Sequence, residues 1–183
     1  TAAGPTTGVS GASGSDAVTS VPVAIGDYEL SEEGPAGYTA GAWTCTGGTF
    51  EGSTVSVALG DDVTCTILNT AQQPSLTLVK EVVNDDGGSA EPTDWTLEAD
   101  GPTPLSGVSG DSAVTGADVE VGDYALSETG GPAGYEASDW TCEIPGIDGG
   151  AATPVTVTDG TVQVGVGQTI VCTIVNDDVP APF

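Results

Sequence analysis

A chain of 183 residues with a single lysine, no arginine or histidine and 27 carboxylates carries a formal net charge of -26. That balance excludes a nucleic-acid surface or attraction to an anionic membrane, and it removes the Arg, Lys and His side chains that usually bind phosphate or carboxylate substrates. The carboxylates are scattered, which keeps a Thr- and Val-rich β protein soluble and blunts its exposed edges.

In chain order, "AAGPTTGVSG" (2–11) opens a run of short alternating stretches broken by Gly, Pro, Asn and Asp. "GDYELSEEGPAGYTAGAWTCTGG" (26–48) and "VSVALGDDVTCTILNT" (55–70) follow, and "NTAQQP" (69–74) then joins them to a second series, with Pro74 marking the boundary. "SLTLVKEVV" (75–83) and the Gly- and Asp-rich "VNDDGGSAEPTDW" (83–95) have no counterpart upstream. "ADGPTPLSGVSG" (99–110), "GDYALSETGGPAGYEASDWTCEIPG" (122–146, with one extra glycine) and "VQVGVGQTIVCTIVND" (162–177) realign on the three earlier stretches. The sequence therefore predicts two copies of one unit. The first spans 1–73 and lacks its opening strand, the second spans 74–179 and is complete, and 180–183 begins a linker or tail. No helical period of useful length occurs. The pattern predicts an all-β chain of tandem antiparallel β-sandwich modules.

No stretch approaches the roughly 18 continuous apolar residues of a membrane helix, so direct membrane insertion is not expected. With no signal peptide and Thr1 in place of Met, the chain reads as a processed or cut fragment whose targeting signal or anchor lies outside it.

Each copy has two cysteines, one on a "WTC" strand and one on a "TCT" strand. Four cysteines allow three pairings. Repeat symmetry favours Cys45–Cys65 and Cys142–Cys172, and disulfides imply an oxidising, extracellular setting. Metal binding is the competing use, against which stand the absence of CxxC and of histidine; a Cys–Gln thioester is another, against which stands the symmetry.

Parity within the strands of the second copy carries the chemistry. In "SLTLVKEVV", Lys80 shares its face with Leu76, Leu78 and Val82. In "YALSE", Glu128 shares its face with Tyr124 and Leu126, and in "VCTIVN", Asn176 shares its face with Cys172 and Ile174. A lone buried charge costs several kcal/mol unless paired or neutralised, so three polar groups on three core faces make sense if they meet. Apolar surroundings favour the neutral, nucleophilic form of an amine. Such an amine can attack the Asn176 carboxamide while Glu128 shuttles the proton, so that ammonia leaves and a Lys80–Asn176 amide remains. Two plainer arrangements stay open: a buried Lys80–Glu128 ion pair hydrogen-bonded to Asn176, and a Lys80 that snorkels out at a strand end.

"YELSEEGPAGY" and "YALSETGGPAGY" resemble the E-box of prealbumin-like domains (collagen-adhesin B-type, inverse-Ig-like, pilin) of Gram-positive surface proteins. "LTLVKEV" resembles that family's lysine strand and "TCTIVND" its asparagine-bearing last strand. The resemblance implies an internal isopeptide bond between Lys80 and Asn176, promoted by Glu128. The added cysteines resemble the repetitive surface proteins of actinobacteria more than typical pilins.

The equivalent positions in the first copy are Glu32 and Asn69, without a second lysine. Either its lysine strand precedes this fragment or a neighbouring subunit supplies it, building filaments by strand donation. The expected function is a stalk or filament module of an extracellular, cell-surface or cell-wall protein. Its partners are neighbouring repeats, with a head-to-tail homopolymer conceivable. An adhesin binding a protein, glycan or surface through Gly/Asp-rich loops is the rival. Trp43, Trp95 and Trp140 could line a sugar site, although tryptophans beside cysteines more often pack in cores. No cofactor is expected; calcium at the "NDD" stretches 84–86 and 176–178 is the alternative, though they fit no EF-hand spacing and read more simply as turns. Conventional enzyme activity is not expected, because no catalytic constellation for an external substrate is present.

Overall fold

The computed structural model describes residues 1–6 and 8–180; of the tail assigned to 180–183, all but Pro180 lies outside the described residues. The chain divides into two compact units, Thr1–Thr70 and Ala71–Phe183. Both are built of strands, as the alternating sequence dictates.

The first unit holds β1 (Ala2–Ala3), β2 (Gly26–Leu30), β3 (Tyr38–Ala40), β4 (Thr44–Thr46), β5 (Thr49–Glu51), β6 (Thr54–Val57), β7 (Thr64–Thr66) and β8 (Asn69–Ala71). One sheet runs β1-β2-β6-β5, and two further pairs are β3-β8 and β4-β7. Along β2 the parity rule holds: Tyr28 and Leu30 are buried while Asp27 and Glu29 are exposed. The core is small, with Tyr28, Leu30 and Val55 fully inside and Trp43, Phe50 and Val63 packed against them. The buried Tyr28 hydroxyl donates to the Ala24 carbonyl at 2.9 Å, satisfying its one polar atom.

The second unit holds β9 (Ser75–Val83), β10 (Trp95–Asp100), β11 (Leu105–Gly107), β12 (Ala117–Asp118), β13 (Gly122–Gly130), β14 (Tyr135–Ala137), β15 (Thr141–Ile144), β16 (Thr153–Val155), β17 (Val157–Thr158), β18 (Thr161–Val164) and β19 (Thr169–Asp178). A five-stranded sheet runs β11-β10-β13-β18-β17 and a six-stranded one includes β12-β9-β19-β15-β16, with β14 also on β19. Their facing residues form one core, which takes in Leu76 and Leu78 from β9, Leu97 from β10, Tyr124 from β13 and Ile170 and Cys172 from β19. Tyr124 repeats the device of Tyr28, donating to the Glu120 carbonyl at 2.8 Å.

Among the described residues of the second unit the pairing is antiparallel with one exception. β9 and β19 run parallel over nine residue pairs, from Ser75 opposite Thr169 to Val83 opposite Asp177. Parity says which face a residue takes but not which way its neighbour runs, so alternation alone predicts the antiparallel sandwich and misses this pair.

Candidate functional site: a buried lysine, glutamate and asparagine

β9 alternates strictly, burying Leu76, Leu78 and Lys80. β19 does the same with Ile170, Cys172, Ile174, Asn176 and Asp178. In the parallel register Lys80 lies opposite Ile174 and Asn176 opposite Val82, so the lysine and the asparagine sit diagonally on one face. Glu128 comes from the other sheet, on β13 opposite Leu97 of β10. The three sequence-predicted residues of the second unit are thus brought together in the space between the sheets.

One carboxylate joins them. Lys80 Nζ donates to Glu128 Oε2 at 2.5 Å, and Asn176 Nδ2 donates to Glu128 Oε1 at 2.8 Å. The Lys80 side chain is wholly buried and that of Glu128 is 14% exposed. Burial pushes the lysine amine below its ordinary range, with the hydrogen bond and charge of Glu128 opposing that shift. Asn176 Oδ1 is buried with no hydrogen-bond partner, a costly state for a carboxamide oxygen.

Residues beyond the lysine, glutamate and asparagine close the site. The Trp95 ring, 3% exposed, lies with its centroid 4.7 Å from Lys80 Nζ and meets Tyr135 edge-on at 5.4 Å. The Tyr135 hydroxyl bonds Asn84 Oδ1 and accepts from the Ala90 amide at 3.0 Å. Asp178 accepts from the backbone of Asp86 at 3.0 Å and of Gly88 at 2.5 Å. Those backbone donors, Asp86 first, hold its carboxyl below the usual carboxylate range. Together Tyr135 and Asp178 pin the 84–90 loop beside the Lys–Glu–Asn cluster. Asp178 and Trp95 could have been found as inward residues, since Asp178 follows Asn176 on β19 and Trp95 shares the parity of Leu97 and Ala99 on β10; that the ring lies over Lys80 leaves no mark in the alternation.

The two "NDD" stretches do come together. Carboxylate oxygens of Asp85, Asp177 and Asp178 lie within 4.8 Å of one another, and the Asp178 carboxylate is already engaged by backbone amides. The nearby Asp86 is pushed up, first by burial and then by the charges of Asp85, Asp178 and Asp177.

In the first unit the acid and the amide also meet: Asn69 Nδ2 donates to Glu32 Oε2 at 3.1 Å. Here Asn69 is exposed and Glu32 only partly covered, and no lysine is present to join them.

All four cysteines are in disulfides, Cys45–Cys65 and Cys142–Cys172. Each links residues directly opposite on antiparallel strands, β4 with β7 and β15 with β19. No thiol is left for a thioester. Trp43 packs, partly buried, against the first core and Trp140 against the second. Among the described residues no helix is long and apolar enough to cross a membrane.

No curated protein and no solved structure matches the chain. A family model for the prealbumin-like fold domain, SpaA_2, matches residues 1–67 and again 71–174. That double match covers nearly the whole chain, agrees with the two-sheet build of the second unit and supports a pilin-like, surface-protein module. The chain belongs to the SpaA_2 family of prealbumin-like fold domains.

Proposed function

We propose that the chain is a stalk or filament module of a secreted or cell-wall-attached surface protein, and that its second unit locks itself with an amide bond between Lys80 and Asn176. The observation that carries this reading is the position of Glu128, which holds the lysine amine on one oxygen and the asparagine amide on the other.

The chemistry follows from that bridge. Transfer of a proton from Nζ to Oε2 gives a neutral amine and a carboxylic acid without moving charge into or out of the core. The amine attacks Asn176 Cγ, and negative charge gathers on Oδ1. That oxygen has no donor in the resting arrangement, and a protonated Glu128, which holds the same carboxamide through Nδ2, turns to supply one. Glu128 then carries the proton from the attacking nitrogen to Nδ2, the Cγ–Nδ2 bond breaks, and ammonia leaves. The product is an Nζ–Cγ amide, which is neutral and removes a buried charge from the core. The event happens once per molecule, and no external substrate is turned over.

Such a bond closes a loop of nearly the whole unit. By the loop-entropy argument used for disulfides, this restricts the unfolded chain by about 4–5 kcal/mol. With one disulfide per unit, the module suits an extracellular setting in which chains are pulled and proteolysed, and neighbouring repeats of the same protein are its natural contacts.

The test is the intact mass of the reduced chain, followed by peptide mapping. A deficit of one ammonia, with the Lys80 and Asn176 peptides recovered as one branched species, supports the reading. A full mass with Lys80 recovered in a linear peptide overturns it and leaves the three residues as a buried ion pair with an amide neighbour.

A further inference from the structure

β19 carries a disulfide and the proposed amide acceptor on one face. Cys172 lies directly opposite Cys142 of β15, to which it is bonded, and further along the strand Asn176 reaches Glu128. The strand also repeats itself. Thr169-Ile170-Val171-Cys172 is followed by Thr173-Ile174-Val175-Asn176, the same residues except the last. The inward row is Ile170, Cys172, Ile174, Asn176 and Asp178, all of them buried, beside Leu76, Leu78 and Lys80 of β9. Because side chains alternate with a period of two, sliding such a strand by two residues keeps its inward row inward, and parity does not forbid it.

The reaction at Lys80 does not share that tolerance. Slid one way by two residues, β19 puts Ile174 where Asn176 stands, diagonal to Lys80. Slid the other way, it puts the Asp178 carboxylate there, a group that would hold the amine as an ammonium and that has no ammonia to lose. Hydrogen bonds resist the slide at two positions, from Asn176 to Glu128 and from the amides of Asp86 and Gly88 to Asp178. Cys172 resists it differently, since a covalent bond to Cys142 admits one register alone. Both cysteines are buried in the core, so as thiols they would still fill their space as small apolar groups. Reduction removes the tie and little of the packing.

We propose that the Cys142–Cys172 disulfide is the register lock of the crosslinking reaction: Cys142 and Cys172 are positioning residues, and the amide between Lys80 and Asn176 forms after their oxidation. The first step takes a small disulfide as its oxidant. A bond forms between Cys142 Sγ and Cys172 Sγ, the S–S bond of the oxidant breaks, and two electrons and two protons pass to it, leaving two thiols. The second step is the loss of ammonia already described and needs no redox partner. The amide is thereby confined to oxidising surroundings, such as those outside a cell. This inference rests on the crosslinking chemistry proposed for Lys80 and Asn176, and it adds the condition under which that chemistry runs.

The full chain, made and purified under a thiol reductant, is mixed with oxidised glutathione and followed by intact mass after alkylation of free thiols. The Cys142–Cys172 bond should appear before the ammonia is lost. Loss of ammonia should be at least about 10-fold slower in chain kept reduced, since a misplacement of about 1 Å already costs that much or more. Cys142→Ala with Cys172→Val, which refills the core without the tie, should be slow under both conditions. Cys45→Ser with Cys65→Ser should match the unaltered chain. Equal rates with and without the Cys142–Cys172 bond, a fast Cys142→Ala/Cys172→Val chain, or equal slowing by the Cys45 and Cys65 substitutions overturns the inference. A second readout starts from chain already crosslinked, which the amide keeps in register. Against a glutathione couple its Cys142–Cys172 bond should be at least about 10-fold more stable than in Asn176→Ala, and equal constants overturn the inference. The oxidised, unaltered chain separates the two readings. An ammonia deficit that arises equally fast without the disulfide defeats only the register lock, whereas no deficit defeats the Lys80–Asn176 bond as well.

Discussion

Lys80 and Asn176 lie on strands that run in the same direction, offset diagonally by one pleat: Lys80 faces Ile174, and Asn176 faces Val82. Diagonal neighbours on one sheet face are within reach of a long side chain, and the lysine supplies that length. The parallel course has a second consequence. Ser75 begins β9 at one end of the pair and Asp178 ends β19 at the other, so tension applied at those two ends shears the pair along its length. An amide from Lys80 to Asn176 would carry that load, leaving everything between slack.

Force spectroscopy on the second unit, pulled from its two ends, therefore has a defined outcome. The unaltered unit should show almost no unfolding extension. Asn176→Ala, which has no carboxamide to attack, should release the residues between 80 and 176 except those inside the Cys142–Cys172 loop. At roughly 3.4 Å per residue the first step is about 220 Å, and adding a reductant should release about 100 Å more. Equal extensions for the two proteins would mean that Lys80 and Asn176 are not joined.

The free amine should also betray itself in the pH dependence of stability. In Asn176→Ala, Lys80 stays an amine in a buried site that lowers its folded pKa, burial being the leading cause. Between that lowered value and the ordinary lysine value near about 10.4, the unfolded chain binds the proton and the folded one does not. Stability must then rise with pH across this window. In the crosslinked protein the nitrogen is an amide and contributes no such slope. Urea midpoints measured from about pH 8 to pH 10.5 should climb in the variant relative to the unaltered chain. Parallel curves would show that the amine is either still present in both proteins or unperturbed.

Much of this site was legible because β structure writes burial into every second residue. Lys80, Glu128 and Asn176 each fell on an apolar parity, and a costly group on a core face asks for a partner. The repeat made the cysteine pairing legible too, by favouring the one arrangement that treats both copies alike. Direction was not legible: nothing in "SLTLVKEVV" or "VCTIVND" says that the two strands run parallel, because parity is the same either way. The cover over the site was equally silent. Trp95 reaches Lys80 only because a tertiary crossing between β9 and β10 places it there, and Tyr135 and Asp178 act through backbone groups of a loop whose path no side-chain pattern encodes. In the first unit parity placed Glu32 inward. It is only half covered, because the strand that buries Asn176 in the second unit has no counterpart among the described residues.

The extra glycine of the second copy belongs to that cover. Its "TGGPAG" stretch (129–134) passes directly over Trp95. Gly131 has φ +77, and a Cβ there would stand 2.2 Å from Trp95 Nε1, inside the indole rather than beside it. Gly131→Ala must therefore pay twice, for a left-handed backbone and for displacing a ring that lies over the lysine; the two together cost about 2–4 kcal/mol. Gly134→Ala is the control. Its φ is +93 but no atom lies within 4 Å of the added carbon, so only the backbone penalty of about 1–2 kcal/mol applies. Denaturant midpoints of the two variants, both built on Asn176→Ala so that no crosslink masks the loss, should separate in that order. A red shift of tryptophan emission is expected for Gly131→Ala alone, since only there is Trp95 moved towards water. If the two substitutions prove equally mild and emission is unchanged, the glycine pair is a turn requirement only, and Trp95 does not depend on the close approach of Gly131 to stay over Lys80.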